Sequence, residues 1–93
     1  MARDAGVRSV PELRNFGKQL QQMGEQMYGV MVNAQRRMNY VSEGWQDDKN
    51  EKFKGVFEQS VKMIKAMSEE FARYNDYVQK QCDILDQYKG NNL

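Results

Sequence analysis

The chain has 93 residues, with 14 Lys and Arg against 13 Asp and Glu, and no histidine. Lack of histidine removes the commonest general base and metal ligand, and a net charge of +1 gives no electrostatic footprint for nucleic acid or an acidic membrane. The lone cysteine, Cys82, excludes an internal disulfide framework and a zinc site of several thiolates.

A composition of 40% hydrophobic and 29% charged residues is that of a globular protein, read here as one domain over 1–93. No Ser/His/Asp arrangement, glycine-rich phosphate loop or paired thiolates occur. The expectation is a non-enzyme with no catalytic, cofactor-binding or metal residues. No run approaches the roughly 18 apolar residues of a membrane helix, so membrane insertion is not expected. Met1 to Arg8 is polar with no apolar core behind it, which predicts synthesis in the cytosol without a cleavable secretory signal.

The first element starts where Ser9 is followed three residues later by Glu12, a capping-box spacing, with Pro11 in the first turn. Leu13, Phe16, Leu20, Met23, Met27, Val30, Ala34 and Val41 then recur at heptad spacing. With Leu13 as position a, the d row is Phe16, Met23, Val30 and Arg37. The e row is Val10, Gly17, Gly24, Met31 and Met38. This predicts a helix over about 10–42. Ser42 to Trp45 reads as a tight turn, in which Gly44 suits a left-handed helix end.

The second element carries Phe57, Ile64, Phe71, Val78 and Leu85 every seven residues as row a. Phe53, Met67, Tyr74 and Tyr88 form row d, and Val56, Met63, Tyr77 and Ile84 row g. Asp47, Asp48 and Glu51 favour its start through the helix dipole, and Lys89 and Gly90 its end. This predicts a helix over about 46–89, with 1–8 and 91–93 as mobile ends. A loop this short makes the helices antiparallel neighbours, a helical hairpin.

Both apolar stripes are three rows wide, the width of core-facing helices in a bundle rather than of a two-stranded seam. Two helices alone leave part of such stripes in water, beyond what a soluble monomer carries. The expected architecture is therefore all-α, a hairpin pairing into a four-helix bundle as a homodimer or a heterodimer with a related hairpin. Gly17 and Gly24, seven residues apart on row e, mark the expected close approach of a helix from the second molecule. Met31, Met38 and Val56 on flanking rows complete that expected dimer interface.

Two helices joined at a tryptophan-bearing turn, with an aromatic eight residues after the tryptophan, resemble the WXG-type family of hundred-residue helical hairpins associated with type VII secretion. The residues are Trp45-Gln46-Asp47 and Phe53. Asp47 stands where the family has glycine, and aspartate there can cap the second helix. The family's export signal, a tyrosine followed four residues later by an acid, has no counterpart: Tyr74 leads to Val78, Tyr77 to Gln81 and Tyr88 to Asn92. The signal can reside on a partner chain. The resemblance implies a leaderless exported factor, or a chaperone or adaptor for a larger effector, with Trp45, Asp47 and Phe53 as the recognised turn. The alternative is an intracellular structural or scaffold bundle with no export role.

Several residues admit two readings. Trp45 either packs over the loop against Phe53 and Val41 or is read by a partner, and both hold if its indole N–H is exposed. Met23, Met27 and Met67 are expected in the core, and Met31, Met38 and Met63 at an interface. Arg36 and Arg37 are expected to reach past the bundle edge or to pair with acids of the second helix. Cys82 is expected as a packing thiol. The acids at 47, 48 and 51 lack the alternation and central glycine of a calcium loop.

Overall fold

A computed structural model describes residues 9–91 and contains two helices, α1 (Val10–Ser42) and α2 (Asp48–Asn91). Ser9 caps α1 from an extended backbone, its hydroxyl accepting the N–H of Glu12 at 3.2 Å. The expected bounds of α1 agree. Its last turn tightens instead of reversing: Glu43, Gly44 and Trp45 donate their N–H groups to the carbonyls of Tyr40, Val41 and Ser42. Such three-residue bonds satisfy the orphan carbonyls of a helix end. Among the described residues no glycine has a positive φ, so Gly44 does not play the left-handed role expected of it.

α2 begins two residues later than expected because Asp47, rather than an earlier residue, takes the cap. Its Oδ1 accepts the N–H of Asn50 at 2.8 Å, and its carbonyl accepts the first helical bond, from Glu51. The connection is therefore 43–47. At the far end the helical backbone continues through Lys89 and Gly90 to Asn91, past the stop expected there. The remaining expected mobile ends, 1–8 and 92–93, lie outside the described residues.

The helices pack antiparallel along their length with one register. Ser42 meets Asn50, Gly24 lies against Ser68 and Phe71, Gly17 against Asn75 and Val78, and Val10 reaches the level of Cys82. The rod measures 68 × 23 × 15 Å with a radius of gyration of 20.3 Å. A compact chain of this length would have a radius near 12 Å.

The helices meet through rows a and e, so that row d, part of both expected apolar stripes, lies at or beyond the edge of the contact. A Cβ on Gly24 would stand 3.1 Å from the Ser68 Cα, and one on Gly17 would stand 3.0 Å from a Val78 methyl. The absent side chains let the backbones approach on the e side, and the helices turn that side inward. Gly17 and Gly24 thus serve the contact between α1 and its own α2, not the intermolecular crossing expected of them. Met23 consequently leaves the expected core and is exposed, while Met27 and Met67 are half-buried.

Polar groups close the other edge of the seam. Gln21 accepts from the amide of Asn75 (2.7 Å), whose Oδ1 accepts from Gln79 Nε2 (2.8 Å). The same Gln79 nitrogen donates to the Arg14 carbonyl at 2.8 Å, and Gln79 Oε1 accepts from the Arg14 guanidinium at 3.0 Å. Arg14 also forks to Asp83 and Asp86, each at 3.0 Å. The hydrogen bond to Asp83, then Asp86, raises the Arg14 pKa above its ordinary value, while partial desolvation opposes them. The interhelix ion pairs thus belong to Arg14. Among the described residues neither Arg36 nor Arg37 takes part in one.

Candidate partner-binding face

Trp45, Asp47 and Phe53 come together at the turn. Asp47 has a double role: while Oδ1 caps α2, Oδ2 accepts the indole N–H of Trp45 at 2.6 Å. Asn50 braces the loop from below, its amide donating to Ser42 Oγ and to the Trp45 carbonyl, both at 2.9 Å. The indole is held in place with 56% of the residue exposed. Its N–H is spent within the chain, so the ring face and edge, not the donor, are what the turn presents.

Beside the indole lies an open groove of ≈ 630 Å³. Its apolar walls are Ala34, Met38, Val41, Trp45, Phe53 and Phe57, with Arg37 and Lys49 also lining it. Phe53 and Phe57 lie one turn apart with their rings tilted at 57° and ring centroids 6.2 Å apart. Val41 and Phe53 do share a surface with Trp45 as expected, but the three line a hollow instead of sealing the tip.

The groove opens onto a longer apolar face. Turning row e inward leaves row d of α1 in water, with Phe16, Met23 and Val30 exposed. On α2 the rows left out are d and g: Phe53, Val56, Met63, Tyr74, Tyr77, Ile84 and Tyr88 are all exposed. In an antiparallel pair these rows fall on one side, since both are rotated the same way from the seam. Phe16 and Tyr74 accordingly line one shallow hollow with Leu20 and Phe71, whereas Lys18, Gln21, Gln22, Glu25 and Asn75 line the opposite face. Of the residues expected at an interface, Val56 lies on the open face. Met31 and Met38 are half-buried, with Met38 lining the groove.

Among the described residues the buried hydrophobic side chains are Val61, Val78 and Cys82, with Val78 2% and Cys82 0% exposed. Cys82 is thus a packing thiol, its Sγ 3.8 Å from the Val10 carbonyl oxygen. The accessible surface is 7618 Å², about a third more than the ~5,600 Å² of a compact monomer of this mass. Ten large apolar residues on one face, each roughly half-exposed, offer on the order of 1,000 Å². Monomers rarely carry a contiguous patch above roughly 600 Å².

Among the described residues no group of His, Cys, Asp or Glu could hold a metal ion, and no helix is long and apolar enough to cross a membrane. Comparison with protein-family models, curated proteins and solved structures finds no match for this chain.

Sequence reasoning passed over Arg14, Ser42, Asn50, Asn75 and Gln79. For Asn50 a signal existed, since it stands three residues after a capping aspartate. The others are polar residues at positions outside the expected apolar stripes.

Proposed function

We propose that this protein is a non-enzymatic, secretion-associated hairpin similar to the WXG type, which works by presenting surface. Its open face is completed by another helical hairpin to form a four-helix bundle, and the paired form is exported or escorts a larger effector. The observation that carries the reading is the unfinished core: two long helices bury few side chains between them and leave a row of large apolar residues on one side. A fixed tryptophan at the turn, with its phenylalanine eight residues on, supports the WXG-type part of it.

The test follows the tagged full chain in cells that carry a type VII secretion system and in the same cells with that system deleted. Appearance in the medium only when the system is present is the expected result, with Trp45→Ala reducing it at least tenfold. Retention in the cells in both strains would overturn the export reading. The second reading, an intracellular scaffold bundle, is favoured by one observation: no tyrosine is followed at four residues by an acid.

A further inference from the structure

The turn groove differs in charge from the other apolar hollow on the rod. The hollow of Phe16, Leu20, Phe71 and Tyr74 has a carboxylate at its edge, Glu70. The turn groove is lined by two exposed cations, Arg37 on α1 and Lys49 on α2. Among the described residues neither is in an ion pair. Asp47, the groove's own carboxylate, is engaged by Trp45 and Asn50.

Size and shape narrow what could fill it. The groove holds ≈ 630 Å³, within the roughly 300–1,000 Å³ of small-molecule sites. Its six apolar residues by themselves fall short of the ~800 Å² per partner of a stable protein interface. From the level of Ala34 to the turn it runs about 15 Å by helix rise. Phe53 and Phe57 are tilted at 57° to each other, so they form no flat slot for a ring, whereas an alkyl chain follows any apolar wall. The Trp45 N–H is spent on Asp47, so the indole offers apolar surface and is ordered before a ligand arrives.

We infer that the turn groove binds a free single-chain anionic amphiphile, a fatty carboxylate, with its chain along the apolar walls and its head group at Arg37 and Lys49. The two cations stand on opposite helices and approach one anion from both sides. A guanidinium meets a carboxylate with two parallel donors, and the lysine adds a point charge. The stems of both side chains extend the apolar wall while their heads stay in water. This site goes beyond the pairing and export reading and does not depend on it.

The probe is dodecanoate below its micelle concentration, and the reporter is Trp45, the single tryptophan. Titration into the full chain should shift the Trp45 emission to the blue and saturate at one ligand per chain. Arg37→Gln combined with Lys49→Gln should weaken binding at least tenfold, since both charge-assisted contacts are lost. Dodecanol, with the same chain and no charge, should bind the wild type at least tenfold more weakly. Met63→Glu, on the apolar face but outside the groove, should bind dodecanoate within twofold of wild type. Far-UV circular dichroism verifies that each variant keeps its helices.

Equal affinity for dodecanol, or no loss in the double variant, would overturn the charged head-group site. Binding that never saturates, or a tenfold loss in Met63→Glu, would mean adsorption along the whole face and would overturn the groove as the site. A Trp45 shift with phosphatidylglycerol vesicles and none with dodecanoate would overturn the free ligand in favour of a membrane surface. Uptake by diluted chain alone, lost wherever light scattering gives twice 10.9 kDa, would overturn it in favour of a second copy. None of these outcomes bears on export, which the secretion test decides separately.

Discussion

Asp47 is where a departure from a familiar motif becomes informative. Glycine at that position has no side-chain oxygen to accept the Asn50 N–H or to hold the indole, and aspartate does both with its two oxygens. The two duties separate by substitution. Asp47→Asn keeps an oxygen for the Asn50 N–H and presents a donor to the indole, so helix stability should change little while Trp45 emission shifts. Asp47→Ala loses the cap as well and should cost about 1 kcal/mol in urea unfolding followed by circular dichroism. Equal losses for the two variants would mean that the indole bond, not the cap, holds the turn.

At the scale of the helices the glycines decide how α1 and α2 face each other. Gly24 lies where a Cβ would press on Ser68 and Phe71, whereas at Gly29 a Cβ would meet no atom within 4 Å. Replacing a helical glycine by alanine gains about 1 kcal/mol when nothing is in the way, and overpacking costs roughly 1–3 kcal/mol. Gly29→Ala should therefore stabilise the chain by about 1 kcal/mol, and Gly24→Ala should leave it no more stable or weaken it by up to about 2 kcal/mol. Chemical denaturation of the two variants side by side checks the opposite signs. Stabilisation by both would mean that the helices do not need the close approach at Gly24.

The bounds of α1 were legible because its capping and heptad signals are local, Ser9 and Glu12 marking its start within four residues, whereas α2 runs two residues later than expected at both ends. Which rows meet was not legible. Rows d and e lie on either side of a, and the choice depends on how near two backbones can come, a property of both helices together. Large residues on row d, such as Phe16 and Tyr74, look like core in one dimension. The missing side chains at 17 and 24 outweigh them, and the large residues are left facing out.

At the scale of the whole molecule the consequence is a two-faced rod. One face is tied by Arg14, Gln21, Asn75 and Gln79, and the other is apolar from Phe16 and Tyr88 to the Trp45 groove. Met63, 71% exposed, lies in the middle of the apolar face and away from the seam, so a charge there should spare the hairpin. Under the proposed pairing of this face with another hairpin, Met63→Glu should leave helicity unchanged and weaken that association at least tenfold, roughly 1.4 kcal/mol or more, in a sedimentation series. Unaltered association would place the pairing surface elsewhere.

The sequence by itself determined that the chain is two helices, where the first begins and ends, and that together they carry more apolar surface than a hairpin can hide. Capping residues and heptad periods act within a few residues, and a count of rows needs no coordinates. Only the tertiary structure decided which rows are hidden, that Gly17 and Gly24 serve the chain's own hairpin, and that Trp45 is anchored beside a groove. Those outcomes depend on how closely α1 approaches α2 and on hydrogen bonds between residues up to 72 positions apart, distances that no local pattern encodes.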